Sequence, residues 1–248
     1  MKIVLVGNGN MGKAIAALLA ETQQHQIIAT FSSKEPPHVE ALAEADACID
    51  FTTAAAFLEN LPILLQAKKP IVVGTTGWYD QLGEVQQKVQ AANGALLYAP
   101  NFSLGVNLFL QLVKVAASLI APFPEFDLAL SEIHHIRKKD APSGTALKAV
   151  DHVLSALPRK TTLRTSLADN APVQKGQLLV ASLRLGSVFG THTLHIDSPA
   201  DELVLTHTAK SRRGFAEGAL QAAEWLQGRQ GFFSFEDFLA EKLKLERL

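Results

Sequence analysis

Up to residue 103 the chain alternates short apolar runs with stripes of apolar residues at helical spacing. Residues 2–6, 26–31, 47–51, 70–74 and 95–99 read as strands, and residues 11–21, 54–67 and 79–92 read as helices. Residues 32–37, Ser-Ser-Lys-Glu-Pro-Pro, read as a loop with a weak helix behind it. Strand–helix alternation of this kind builds a parallel sheet covered on both faces. The expected fold class is therefore α/β, opening with a doubly wound sheet of the Rossmann type.

After residue 103 the rhythm changes. Residues 104–120 read as one long apolar helix, and Pro122 and Pro124 then break the chain. Residues 127–134 alternate as a strand, 143–157 read as a helix, and 178–185, 191–196 and 202–209 read as three further strands. Their short connections point to a mixed or antiparallel sheet. Two helical patterns follow, at 214–227 and 235–245. The organisation expected is a dinucleotide-binding domain of residues 1–103, rejoined by C-terminal helices within 213–248, around an inserted α+β domain of residues 104–212.

Composition changes this picture only by exclusion. Of 248 residues, 48% are hydrophobic and 19% charged, as in folded globular chains. A formal net charge of −1 argues against a broad electrostatic grip on nucleic acid or an acidic membrane surface. The single cysteine, Cys48, lies in an apolar run and reads as a small buried hydrophobe, so neither an intrachain disulfide nor a cysteine zinc site is expected. No spacing of metal ligands stands out. The opening apolar run stops at glycines too soon for a signal peptide, and no run reaches the ~18 apolar residues of a membrane span. The expected location is the cytoplasm.

Two stretches carry candidate chemistry. Gly7-Asn8-Gly9-Asn10-Met11-Gly12 follows the first strand directly and opens the first helix. In that context G-x-G-x-x-G is a dinucleotide fingerprint, with free helix N–H groups to hold a pyrophosphate. Such sites usually place an acid after the second strand to bind a ribose diol, whereas here the strand runs into Ser32-Ser33-Lys34. Two hydroxyls and an ammonium suit a 2′-phosphate, so NADPH is expected to serve at least as well as NADH. Glu35 is one step further on and could still reach a diol, and a plain solvated loop is the alternative.

The second stretch is Glu132-Ile133-His134-His135-Ile136-Arg137-Lys138-Lys139-Asp140-Ala141-Pro142-Ser143-Gly144-Thr145-Ala146. It reads as a strand ending in paired histidines, a basic turn and a helix start, with Ser143 as a candidate N-cap. Basic side chains facing a helix N-terminus form a carboxylate or phosphate site, and a neighbouring histidine can donate a proton near neutral pH. By composition alone a solvated charge run is as good a reading. Adjacent strand residues point to opposite faces, so only one of the two histidines faces a ligand unless the strand has already ended.

The stretch HHxxKxDAPSGTA resembles the signature of the dihydrodipicolinate reductase family. Asp50-Phe51-Thr52, Gly74-Thr75-Thr76-Gly77 and the run Ala99-Pro100-Asn101-Phe102-Ser103 through Asn107 are similar to further segments of that family, as are Arg184-Leu185-Gly186 and Gly190-Thr191-His192. The resemblance spans nearly the whole chain. It implies NADPH- or NADH-dependent reduction of a small dicarboxylate in the diaminopimelate–lysine pathway by a homotetramer assembled through the second domain's sheet. His134 would be the proton donor and Lys138 its partner on a substrate carboxylate. His135 and the N–H groups of Gly144 and Thr145 would complete the clamp. Gly7 to Gly12, Ser32 to Lys34, Phe51, Thr52, Gly74, Thr75, Thr76, Ala99, Pro100, Asn101 and Phe102 would surround the cofactor. Three departures stand out: no acid at Ser32, Thr191 where many members carry Glu before His192, and a somewhat short chain. Another two-domain dehydrogenase would leave the HHxxKxDAPSGTA stretch unexplained. A non-catalytic nucleotide sensor would have no need of the His134/Lys138 pair.

Overall fold

The computed structural model describes residues 1–244. By internal packing the described residues divide into two units, residues 1–103 with 212–244, and residues 104–211.

The first unit is built on six strands, β1 (Lys2–Val6), β2 (Gln26–Phe31), β3 (Ala47–Asp50), β4 (Ile71–Val73), β5 (Ala95–Tyr98) and β11 (Gly231–Ser234). They lie in the order β11-β5-β4-β3-β1-β2, and every pairing is parallel. Central strands of a parallel sheet are covered on both faces, which is why β3 and β4 are buried at every residue. The crossovers are α1 (Asn10–Thr22), the short α2 (Val39–Leu42), α3 (Ala54–Gln66) and α4 (Leu82–Ala91). Helix α7 (Arg213–Trp225) packs on α1, β3 and β4, and α8 (Phe235–Leu243) follows β11. The sequence pattern reads 235–245 as helix; Leu245 lies outside the described residues. Because β1 sits between β3 and β2, the winding reverses at β1 and β3, and their C-terminal ends flank the glycine loop.

The second unit holds a five-stranded mixed sheet ordered β10-β9-β6-β8-β7. Its strands are β6 (Asp127–His134), β7 (Thr162–Arg164), β8 (Gln177–Arg184), β9 (Thr191–Asp197) and β10 (Glu202–Thr208). β9 runs antiparallel to β6 and β10, whereas β8 runs parallel to β6 and β7. Helices α5 (Leu104–Ile120) and α6 (Gly144–Ala156) cover one face, burying Val113 and Val153 against Leu130, Val180 and Leu194. At ~1.5–3 kcal/mol for each such side chain removed from water, this layer is what holds β6 and α6 in fixed register.

Two strands escape the sequence pattern. β7 (Thr-Leu-Arg) and β11 (Gly-Phe-Phe-Ser) are short and lack the unbroken apolar run that marks the equally short β4.

Candidate active site

In the first unit, the segments expected to meet a cofactor all leave the C-terminal ends of parallel strands. Gly7 to Gly12 follow β1, Ser32 to Lys34 follow β2, Phe51 and Thr52 follow β3, Gly74 to Thr76 follow β4, and Ala99 to Phe102 follow β5. Open α/β sheets bind ligands along this edge. Gly7 has φ +113°, and a Cβ there would stand 2.5 Å from the Phe51 carbonyl oxygen. A Cβ on Gly12 would run into the Gly7 carbonyl, so helix and strand approach as closely as the fingerprint requires. Gly9 caps α1 without a side-chain acceptor, nothing lies within 4 Å of where its Cβ would stand, and the first turn carries no acid. Bare N–H groups at an open helix N-terminus fit a pyrophosphate.

At the tip of β2 the chain closes a tight turn. Ser32 and Glu35 bond to each other through their backbones at 3.0 Å in both directions, and Ser33 and Lys34 are exposed. Thr76 is exposed, whereas Thr75 and Phe102 are buried. Trp78 is fully buried and its indole N–H donates to the Thr75 carbonyl at 2.8 Å, which makes it a loop anchor.

Asp50 ties these loops together. Its Oδ1 accepts from the Thr52 N–H at 3.0 Å and from the hydroxyls of Thr52 and Thr75, each at 2.7 Å. Burial pushes its pKa up, against the hydrogen bonds from Thr75 and Thr52. The sequence reading quoted Asp50 and gave it no role; its position under both loops emerges only from the β3–β4 pairing.

The second unit carries a dense polar cluster where β6 ends. Glu132, 1% exposed, is its hub. The Ser143 N–H donates to both Glu132 carboxylate oxygens at 3.1 Å, and Oε1 also accepts from Ser182 Oγ at 2.9 Å and Arg184 Nη2 at 3.1 Å. Burial works to raise the Glu132 pKa, but the hydrogen bonds from Ser143, Ser182 and Arg184 prevail and hold it below the usual carboxylate range. The carboxylate is ionised at neutral pH.

His134 is the last residue of β6, so His135 already lies beyond the strand. The His134 Nδ1 stands 3.5 Å from Glu132 Oε2, too far for a well-formed hydrogen bond yet within ion-pair range. Burial lowers the His134 pKa; the Glu132 charge opposes that, while Lys138 and Arg184 reinforce it. Its ring packs edge-on to His192, with centroids 5.0 Å apart, and the backbone of Gly190 lies so close that a Cβ there would stand 2.9 Å from His134 Nε2.

The basic turn continues from this point. Lys138 Nζ pairs with Asp140 at 2.8 Å, and Arg184 donates to the Asp140 carbonyl. Ser143 caps α6, its hydroxyl accepting from the Ala146 N–H at 3.2 Å. Gly144 and Thr145 occupy the first turn, where N–H groups have no intrahelical acceptor, and nothing lies within 4 Å of where a Gly144 Cβ would stand. A cation, a titratable ring and an open helix N-terminus thus gather around one short segment.

His192 was left without a role by sequence reasoning. Its Nε2 lies 3.1 Å from Ser143 Oγ and 3.7 Å from Glu132 Oε2, and burial drives its pKa down to about 4. Thr191 points to the other face of the sheet, its hydroxyl 3.2 Å from that of Thr208. Pairing of β6 with β9 brings ligand atoms of Glu132, His134 and His192 within 4.8 Å of one another. The donor set nevertheless suits a metal poorly, because Glu132 already accepts from three groups and one of them is the Arg184 cation.

Two family models match the chain, "Dihydrodipicolinate reductase, N-terminus" over residues 1–102 and "Dihydrodipicolinate reductase, C-terminus" over residues 105–239. A protein of Christiangramia forsetii named 4-hydroxy-tetrahydrodipicolinate reductase is 34% identical over 98% of this chain and 100% of its own length. One of Aquifex aeolicus with the same name is 40% identical over 81% of this chain and 75% of its own. Among solved structures, dipicolinate-bound dihydrodipicolinate reductase from Paenisporosarcina sp. TG-14 has the same fold. It superposes with a TM-score of 0.75 at 20% identity, over 96% of this chain and 98% of that one.

Proposed function

The chain belongs to the dihydrodipicolinate reductase family, and we propose that it acts as its named relatives do: 4-hydroxy-tetrahydrodipicolinate loses water to give dihydrodipicolinate, which is reduced to tetrahydrodipicolinate for diaminopimelate and lysine synthesis. The reaction belongs in the cytoplasm, and among the described residues no helix is long and apolar enough to cross a membrane.

A bound nicotinamide supplies the hydride. The first unit's part is to hold that cofactor, with the pyrophosphate on the first turn of α1 beside Gly9 and the adenosine ribose near Ser32, Ser33 and Lys34. Hydroxyls and an ammonium at the β2 tip favour NADPH at least as much as NADH. Phe51, Thr52, Gly74, Thr75, Thr76, Ala99, Pro100, Asn101 and Phe102 complete the edge.

The second unit's part is to hold the dicarboxylate and give it a proton. Lys138 leaves Asp140 for one substrate carboxylate, and the N–H groups of Gly144 and Thr145 take the carboxylate at the N-terminus of α6, with His135 beside them. His134 donates the proton that balances the hydride. The observation that carries this reading is that His134 at the end of β6, Lys138 in the following turn and the open N-terminus of α6 lie in one contiguous segment.

Dipicolinate, a flat analogue with the same two carboxylates, is expected to inhibit competitively against substrate. Failure to inhibit even well above the substrate KM would remove the clamp from the account.

A further inference from the structure

The α6 N-terminus, the His134 ring and, through Arg184, the basic turn converge on Glu132, which is buried. Its carboxylate accepts from the backbone N–H of Ser143, the residue that caps α6, through both oxygens. The same carboxylate lies 3.5 Å from His134 and 3.7 Å from His192 and accepts from Arg184, whose guanidinium also holds the Asp140 carbonyl in the basic turn. Strand β6, strand β8, strand β9, the turn and the α6 N-terminus therefore meet at one buried charge.

We propose that Glu132 is the positioning residue of this site, fixing the His134 ring and the first turn of α6 in one register so that proton donor and carboxylate clamp address the same molecule. This rests on the reductase reading. Elementary electrostatics gives the carboxylate a second effect. A charge within ~4–6 Å favours the protonated imidazole, offsetting burial, so that more of His134 carries the proton it must donate. The other groups facing His134 are His192 from β9, Arg184 from β8, and Lys138 and Asp140 from the turn. All remain when Glu132 alone is changed.

The test compares wild type with Glu132→Gln and Glu132→Asp. Glu132→Gln keeps size and an acceptor but removes the charge. We expect kcat to fall ~10-fold or more and substrate KM to rise several-fold, with KM for NADPH unchanged. A general acid works while protonated, so activity falls as pH rises through its pKa. Loss of Glu132 lowers that pKa, and the alkaline limb of kcat/KM should move ~1 unit toward acid. Glu132→Asp keeps the charge on a shorter stem, and should leave the limb nearer its wild-type position while still losing kcat. In a His134→Gln background, Glu132→Gln should cost little further kcat, because it acts through that ring. A folded Glu132→Gln enzyme with wild-type kcat and pH profile would overturn the proposal. Should Glu132→Gln fail to fold, as read by circular dichroism and NADPH binding, an undiminished kcat in Glu132→Asp would overturn it equally. A wild-type protein without turnover would instead sink the reductase reading on its own.

Discussion

At the scale of single residues, His134 shows how a proton donor is tuned by opposing terms. Burial favours the neutral ring and the Glu132 carboxylate favours the charged one; the first effect is the larger, so its pKa falls below the ordinary histidine value. His134→Gln should cut kcat ~10²-fold or more while leaving NADPH affinity intact. Lys138→Ala should act chiefly on substrate KM, since it removes an anion contact, with steady-state kinetics separating the two effects. A His134→Gln enzyme with near-normal kcat would transfer the donor role elsewhere. The sequence offers His134, Lys138, Gly144 and Thr145 through the family resemblance of one contiguous stretch, whose local chemistry alone fits a solvated charge run equally well. Glu132 lies two positions before His134, yet its role was illegible, because it depends on Ser182, Arg184 and Ser143 arriving from other elements. His192 was hidden for the same reason, as it reaches Ser143 and Glu132 only through the β6–β9 pairing.

At the scale of elements, segments with a clear apolar run or helical stripe announced themselves, even the three-residue β4, whereas β7 and β11 did not. The glycine loop was legible because the close packing of Gly12 on Gly7 demands small residues at fixed spacing. β7 and β11 were not, since Thr-Leu-Arg and Gly-Phe-Phe-Ser show neither an apolar run nor an alternation of strand length, and only their pairing with Gln177–Leu179 and Ala95–Tyr98 reveals them. One face of the five-stranded sheet is covered by α5 and α6. Within this unit the opposite face carries Ile133, Leu183 and Val204, with Leu183 56% and Val204 50% exposed. The resemblance to the family implies a homotetramer assembled through the second unit's sheet, and this mixed face of apolar and threonine side chains, uncovered within the unit, is where it would form. Leu183→Glu should then lower the assembly state, as read by sedimentation velocity. A wild-type protein that sediments as a monomer at micromolar concentration would refute the assembly.

At the scale of the whole molecule, buried His192 is expected to contribute to the acid sensitivity of stability. His192 gains its proton near pH 4 when folded and near the ordinary 6.5 when unfolded. Between those values the unfolded chain binds more protons, so falling pH favours unfolding. Stability contributed by neutral His192 should be fully present above about pH 6.5 and be lost progressively toward pH 4. It is worth at most about 3 kcal/mol. Denaturant melts across that window should show the slope, and His192→Gln should flatten it. An unchanged slope in that variant would assign the acid sensitivity to other groups.

The central claim is that the chain is a reductase and not a nucleotide sensor with the same fold. It is tested most directly by following loss of nicotinamide absorbance while the preceding synthase generates substrate from pyruvate and aspartate semialdehyde. The account predicts rapid oxidation that requires the synthase, at least as fast with NADPH as with NADH. No oxidation with either cofactor, in protein shown to bind NADPH, would contradict it.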